Sequence, residues 1–521
     1  MKKRSLIALG IGLITLASCG GGEKSSGNAG DEDSSSIPGN IRLIMEVQSG
    51  PTNLDPRVGN DNVSGRIFDL CCRGLIQVTP EMDYAPDLAQ SWETPDDKTI
   101  IFHLNPNAKF QDGRPLTSKD VKATYEDVIN QKVVNTKASG YSSVDHIEAP
   151  DAQTVIFKLK EPNGGIFDNF NLGIVPIGAD ADTYKTKPVS FGPYRVVSYK
   201  TDERVELRAN KYWIGGPPMI QHITVRIIPD SLTRVQELQR GTVNFEVNQI
   251  SFESIAQFEK DGKHQVAKKP GSVWQYVAFN LKKPILSKVE VRRAIAHAID
   301  RQRIVQDLQR GYGVVTDTMF AQGHWARAEN LPSYSYDPNR AKQLLDQAGY
   351  KDPDGDGPQP RFELNFKTSV DVEANLRAQA IQQMLAQVGI KVNILSSEFG
   401  TFFEDIGKGN FDMYSLSRNG IADPDFFYII FHSKNVPPEG QNRGYYSNPR
   451  VDELIMQGRS TFDRTRRKQI YAQIQRIVQE DLPYVSLYHQ INVAVMDNNL
   501  QGYVMYPAGF WLGIPRMSFK Q

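Results

Sequence analysis

Apolar positions along this chain change their period between its first and second halves. In the first half they come in short β-branched and aromatic runs. Residues 41–47 alternate weakly as a first strand, and Thr99–Leu104 (TIIFHL) is a strand by composition. Thr154–Leu159 (TVIFKL) nearly repeats it, as a partner in one antiparallel sheet would. Between these runs, residues 49–58 (SGPTNLDPRV) predict a turn-rich loop and residues 66–76 (RIFDLCCRGLI) an apolar helical stretch. Residues 110–113 make a turn, and Thr117 with Asp120 approximates a capping box for a helix running to about Asn130. In the second half the spacing becomes helical. Ser287 and Glu290 are expected to cap a helix whose apolar positions are Val291, Ala294, Ile295, Ala298, Ile299 and Leu308. Asp337-Pro338 starts another, which Gly349 stops. Phe362, Leu364 and Phe366 alternate as a strand. A helix then runs through Leu376, Ala380, Met384, Leu385 and Val388 to Gly389, and Ile390, Val392 and Ile394 make the next strand. That βαβ unit sets the fold class as α/β with a partly parallel sheet. A last helix through Ile470, Tyr471, Ile474, Ile477 and Val478 precedes a strand at 484–488. The aromatic-rich tail 502–521 is expected to pack back on the first part of the fold.

Composition then narrows the location. Met1-Lys2-Lys3-Arg4 is a basic start, residues 6–16 carry no charge, and Leu16-Ala17-Ser18-Cys19 closes the run. That order is a secretory signal peptide, whose apolar part is too short to span a bilayer. A cysteine behind two small residues and a leucine resembles a bacterial lipobox. Residues 1–19 are therefore read as lipoprotein signal peptide and lipobox, with Cys19 lipidated and carrying the membrane anchor. Residues 20–40 are Gly, Ser and acid, a flexible tether. The protein is expected to be exported and held at the cell envelope, periplasmic or on the outer face of the membrane. The remaining stretch of about 480 residues is too long for one hydrophobic core and predicts two or three lobes. Lys+Arg and Asp+Glu are both 60; loss of Lys2, Lys3 and Arg4 leaves 57 against 60, a balance that argues against a nucleic-acid partner. Adjacent Cys71 and Cys72 are expected as two buried thiols, because a vicinal disulfide is strained.

Residues 88–130 (LAQSWETPDDKTIIFHLNPNAKFQDGRPLTSKDVKATYEDVIN) resemble the signature of family 5 bacterial extracellular solute-binding proteins, the oligopeptide, dipeptide and nickel-binding group of ABC importers. Further matching pieces follow in order. They are FGPY at 191–194, NKYW at 210–213, FN at 279–280, VRRAIAHAIDR at 291–301, ADP at 422–424 and YSNP at 446–449, leading into Val451-Asp452. The resemblance implies a periplasmic-binding-protein-like fold, two large lobes around a ligand cleft with an additional inserted N-terminal lobe. It assigns 41–72, 193–281 and 489–521 to the first lobe, 73–192 to the inserted lobe and 282–488 to the second ligand-binding lobe. It further implies a monomer that captures a small molecule or peptide, a peptide first of all, and delivers it to ABC transporter permease subunits, with no cofactor required.

The chemistry fits a binder better than an enzyme. There is no G-x-S-x-G, H-E-x-x-H, Walker loop, G-x-G-x-x-G or paired C-x-x-C, and the eight histidines are dispersed. An exported lipoprotein hydrolase is the alternative from another class. A binder needs a cleft with aromatic walls and a few polar groups. Residues 271–280 (GSVWQYVAFN) put Trp274, Tyr276 and Ala278 on one strand face, with Asn280 two pleats beyond Tyr276. The resemblance sets this segment at the cleft beside the hinge; the alternative is that both rings are sheet core. Residues 411–425 (FDMYSLSRNGIADPD) are expected from the opposite lobe. In peptide binders of the family such a strand pairs with an extended ligand, and Ser415, Ser417, Arg418 and Asn419 are the candidates there. Asp423 and Tyr446 complete the set, although Asp423-Pro424 also suits a turn. Typical peptide binders carry an acid shortly before Asp-Pro for the ligand's α-amino group, whereas Asn419-Gly420-Ile421-Ala422 has none. Arg418 instead favours a carboxylate-bearing group. A nickel chelate, an oligosaccharide or another polar metabolite stays open beside the peptide. Finally, Asp352, Asp354, Asp356 and Glu363 satisfy D-x-D-x-D-G-x5-E, the spacing of a calcium loop, and are candidate ligands for a structural calcium; the alternative is a solvated acidic turn.

Overall fold

A computed structural model describes residues 42–520 other than 356 and 439. The expected signal peptide, Cys19 and tether lie outside the described residues. An eleven-stranded mixed sheet organises the chain. From one edge its strands are Ile390–Ser397, Phe362–Ser369, Met413–Arg418, His264–Phe279, Tyr484–Asp497, Phe245–Val247, Arg42–Val47, His222–Ile227, Arg204–Ala209 and Tyr194–Lys200. Gly313–Val315 pairs off this path with Tyr484–Asp497. Two strands stand out by length. His264–Phe279 and Tyr484–Asp497 run antiparallel from His264↔Asp497 to Ala278↔Tyr484, with a register break between Pro270 and Trp274. Pro270 has no N–H to give the ladder. At Gly271 a Cβ would stand 2.6 Å from both Gln490 O and Asn492 Oδ1, so the close approach of the two strands needs glycine there.

Parallel pairing occurs in two places, one on each side of these long strands. Arg42–Val47 is parallel to His222–Ile227 and Phe245–Val247. Phe362–Ser369 is parallel to Ile390–Ser397 and to Met413–Arg418. The helix Val372–Ala386 is the crossover between Phe362–Ser369 and Ile390–Ser397, and it buries Ala378, Ile381 and Leu385 against them. The predicted βαβ unit is therefore present. Leu376, expected on its apolar face, is instead 46% exposed, because the buried stripe runs one position later through Arg377 and Ala378.

A separate four-stranded sheet orders Ala89–Asp96, Thr99–Leu104, Thr154–Leu159 and Val144–Glu148, and the two near-repeated runs are antiparallel neighbours. Phe102, Phe157, Phe170 and Tyr125 meet edge to face in its core, with centroids 4.8 Å apart for Phe102–Phe170 and 5.0 Å for Tyr125–Phe157. Such pairs add to burial because a positive ring edge meets a negative ring face. Ser118–Ile129 is the helix over this sheet, with the Thr117–Asp120 capping box formed.

Three sequence expectations need correction. The helix expected at 66–76 is Asn62–Cys71, started by Asp61, whose side chain accepts from the Val63 and Ser64 N–H groups. It stops because Gly74 runs against residues 170–171, where a Cβ would come within 2.6 Å of Phe170 O. The helix expected through 291–308 is two, Val289–Ala298 and Arg301–Leu308. Asp300 caps the second by accepting from Arg303 N–H, while Ser287 caps nothing and donates to Pro284 O. The strand expected at 484–488 runs on to Asp497. The tail does pack on the first strands: Trp511, Ile514 and Met517 share a core with Leu43, Met45 and Val225. Cys71 and Cys72 are buried free thiols with sulfurs 3.1 Å apart. No helix among the described residues is long and apolar enough to cross a membrane.

Candidate functional site

The topology points to one place. Arg418, last residue of its strand, lies opposite Trp274, and Val247, last of its strand, lies opposite Ala494, whose other neighbour is Ala267. The carboxyl ends of both parallel groups thus converge on the stretch of the long strands around the register break at 270–274. Crevices beyond the carboxyl ends of parallel strands are where α/β folds bind ligands.

On one side of this convergence, Trp274 and Tyr276 are buried and stacked (4.2 Å), and Tyr276 stacks on Tyr484 (5.0 Å, planes 5° apart). Trp274 Nε1–H donates to Ser486 Oγ at 3.0 Å. Residues 413–418 do not face these rings across a gap. They are the adjacent strand, because His264–Phe279 is long enough to serve both halves of the sheet. Several candidate side chains have their polar atoms taken up by the protein. Asn280 donates to Gly409 O and Phe411 O and accepts from Lys282 N–H. Ser415 accepts from Gln275 and Arg377. Tyr446 OH donates to Asp481 at 2.6 Å. Asp423 takes a bidentate pair from Arg467, at 2.9 and 2.7 Å.

Ser417, Arg418 and Asn419 differ: all three are exposed at the strand end. Asn419 accepts from Ser272 Oγ at 2.9 Å and donates to Ala508 O at 3.2 Å. The Arg418 guanidinium lies 4.7 Å over the Phe426 ring, and among the described residues no carboxylate stands within 4 Å of it. The protein around it lowers its pKa by desolvation, and Arg443 repels it. Arg443 lies 4.5 Å over Phe403, is buried, and leaves Nε without a hydrogen bond.

On the other side, a cavity of about 510 Å³ opens between the helix Asn62–Cys71, the strand Ile76–Val78, residues 136–141 and 169–173, and Phe510. Six charged side chains line it: Asp61, which caps the helix, Lys137, whose Nζ donates to Pro56 O, and Arg66, Asp69, Arg73 and Asp87. Arg66 and Arg73 are 7% and 6% exposed, their guanidinium groups 5.8 Å over Trp511 and 5.3 Å over Trp213. Burial pushes Asp69 up to about 7, although it accepts from Trp511 N–H at 2.7 Å. Burial likewise pushes Asp87 up to about 6, against the pull of Arg73. Arg73 Nε and Asp87 Oδ2 stand 3.7 Å apart, and neither makes a hydrogen bond. Sequence reasoning missed this set. Arg66 and Asp69 were legible as neighbours at i and i+3 of one helix, but charges on an apolar helix usually face water, and Arg73 lies beyond the helix end.

The two sides touch. Ala422 packs with Val78, Met82 and Ala508. Asp423 N–H donates to Asp168 at 3.3 Å, Tyr84 OH donates to the same carboxyl at 2.5 Å, and Arg464 pairs with Asp83. Burial, reinforced by Asp423, pushes Asp168 up to about 7.

The calcium-spaced acids are dispersed in their contacts. Asp352 lies 3.5 Å from Arg361, and Asp354 accepts from Gln359 N–H. Glu363 belongs to a strand, and its carboxylate is taken by Lys391 at 2.9 Å and Asn393 at 3.2 Å on the neighbouring strand, which turns it from the loop. Asp356 lies outside the described residues. Among the described residues no three His, Cys, Asp or Glu side chains gather as metal ligands.

Comparison with known proteins adds four findings. The family model described as "Bacterial extracellular solute-binding proteins, family 5 Middle" matches residues 83–437. The oligopeptide-binding protein AppA of Bacillus subtilis (strain 168) is 26% identical, over 97% of each chain. Its structure in complex with a nonapeptide superposes with a TM-score of 0.74, at 26% identity over 92% of this chain and 99% of that one. The binding protein AgaA of A. tumefaciens R10, in complex with agropinic acid, gives 0.73 at 26% identity, over 92% and 99%.

Proposed function

The chain belongs to the bacterial extracellular solute-binding proteins, family 5, and on that premise we propose that it captures a peptide carrying an anionic group between Arg418 and the cavity beside Asn62–Cys71. It is an extracytoplasmic solute-binding protein of an ABC transporter, from a family of binding proteins rather than enzymes. Support for a peptide comes from the relative AppA, solved with a nonapeptide. The observation that carries the anionic group is Arg418: exposed at the strand end, beside Arg443, and with no carboxylate within 4 Å among the described residues, Asp168 acting on it only from farther away. A cation held in this way is completed by a negative group on the ligand. Ser417 and Asn419 flank it as polar contacts. The ligand would stabilise the arrangement in which Ala422 meets Val78 and Ala508, so that capture and closure are one equilibrium. Cys19 would carry the lipid that tethers the protein near its permease.

Mass spectrometry of whatever copurifies with the protein is the direct test. Recovery of peptides supports the reading, and recovery of a sugar or a metal chelate overturns it. For the anchor, Cys19→Ala should leave the membrane fraction or accumulate unprocessed; a wild-type protein that begins at another residue without lipid would overturn the anchor.

A further inference from the structure

The cavity beside Asn62–Cys71 is lined by charges of both signs, and three of them carry a buried hydrogen-bonding atom that is unmatched. Buried polar atoms nearly always have partners, and those that do not need an explanation. Here the orphans are Arg66 Nε, Arg73 Nε and Asp87 Oδ2, all on residues lining one cavity of about 510 Å³. Arg73 and Asp87 are close enough to attract, at 3.7 Å, and too far apart to hydrogen-bond. Their positions are held from outside the pair. The Arg73 guanidinium lies over the Trp213 ring, Arg73 O accepts from Ile174 N–H at 3.0 Å, and Asp87 N–H donates to Leu75 O at 3.2 Å. The pair is therefore pre-organised to receive a group rather than free to collapse on itself.

The mixture of signs selects the chemistry. A simple anion would meet Asp61, Asp69 and Asp87 as well as the cations, and a simple cation would meet Arg66, Arg73 and Lys137. A group with both charges about one hydrogen-bond length apart satisfies both: its carboxylate accepts from Arg73 Nε and its ammonium donates to Asp87 Oδ2. We propose that Arg73 and Asp87 form a subsite for an α-amino-acid group, an ammonium and a carboxylate on one carbon, and thereby set the class of solute. This rests on the reading of the chain as a peptide-type binder and narrows it. An ordinary linear peptide places its free ammonium and free carboxylate at opposite ends, so the solute would expose an unmodified amino-acid unit through a side-chain linkage. Arg66 and Asp69 line the same cavity, stacked on and bonded to Trp511.

The test uses two isomers of identical composition, γ-Glu-Ala, whose glutamate keeps ammonium and carboxylate on one carbon, and α-linked Glu-Ala. Titration calorimetry on the full protein should show the γ-linked isomer binding at least tenfold more tightly. Asp87→Asn and Arg73→Gln should each bring the two isomers to within about threefold, while Arg73→Lys retains part of the preference. Equal binding of the isomers by wild type, or a preference that survives both substitutions, overturns the subsite and leaves the peptide reading intact. Binding of the α-linked isomer alone does the same. Binding of neither, with no peptide recovered from the purified protein, overturns the peptide reading and the subsite together. Apo melting curves of Asp87→Asn that match wild type show that a lost preference is not lost folding.

Discussion

Arg467 and Arg418 sit in the same neighbourhood and have opposite fates. Arg467 is buried, locked in a two-pronged pair with Asp423, and the carboxylates Asp423 and Asp425 raise its pKa against the cost of burial. Arg418 lies at a strand end over Phe426, with no carboxylate within 4 Å among the described residues, and desolvation lowers its pKa. One cation is completed by the fold and the other is left for something outside it. The difference teaches how to read charge in a binding protein. On the proposed reading, the residue whose charge is already matched carries stability, and the one left unmatched at the carboxyl end of a parallel strand is the candidate for recognition.

The sharpest way to break that comparison is to truncate the matched pair. Arg467→Ala leaves the Asp423 carboxylate buried and alone, and should cost about 3–5 kcal/mol of folding free energy, read from the urea midpoint. A loss under about 1 kcal/mol would mean the pair is not what holds residues 423–425 in place. Arg418→Ala should do the reverse. It should weaken binding of the copurifying solute by about 2–5 kcal/mol, well over tenfold in calorimetry, while the apo melting curve stays near wild type. Arg418→Lys should recover only part if the contact is bidentate. A melting curve that falls with unchanged affinity would assign Arg418 a structural role.

An unmatched charge of the other sign extends the comparison. Glu46 is buried on Arg42–Val47 with both carboxylate oxygens free of hydrogen bonds, and burial together with Glu246 pushes it up to about 8. Its folded pKa is above its unfolded value, so the fold prefers the protonated acid. That contribution is complete below about pH 4.5 and is lost as pH rises through about 8. Urea midpoints should therefore fall from pH 5 to pH 8.5 in wild type, and Glu46→Gln should flatten that fall. An unchanged slope in the variant would assign the pH dependence elsewhere, with Asp168, also raised, the next group to replace. The smallest effect is expected from Asn419→Ala. It removes the bonds to Ser272 and Ala508 and should cost about 1 kcal/mol, seen mainly as faster ligand release.

Much of the architecture was legible because local pattern and local structure coincide. Thr99–Leu104 and Thr154–Leu159 are strands with the bounds read from composition, and they pair as their similarity suggested. The Thr117–Asp120 capping box and the Asp337-Pro338 start are local chemistry and formed as read. The single helix expected through 291–308 failed for an equally local reason, since Asp300 caps a new helix inside an unbroken apolar pattern.

What the sequence by itself determined about this protein is the alternation of strands and helices, the solute-binding family its ordered motifs resemble, and the odd chemistry before Asp423, where an arginine stands and an acid does not. Those are properties of neighbours in the chain. Only the tertiary structure decided that residues 413–418 lie beside Trp274 rather than across a gap from it, because that follows from one strand being sixteen residues long and crossing both halves of a sheet. Only the tertiary structure separated Arg467 from Arg418, since which arginine reaches Asp423 depends on where a helix forty residues later is packed. The same holds for Arg73 and Asp87. Each looks like an ordinary surface charge in the sequence, and their shared burial at 3.7 Å appears only in the fold, where the adjoining Gly74 runs tightly against residues 170–171. Periodicity reports which side of an element is apolar, whereas the partner of a charge is set by distances between residues far apart in the chain.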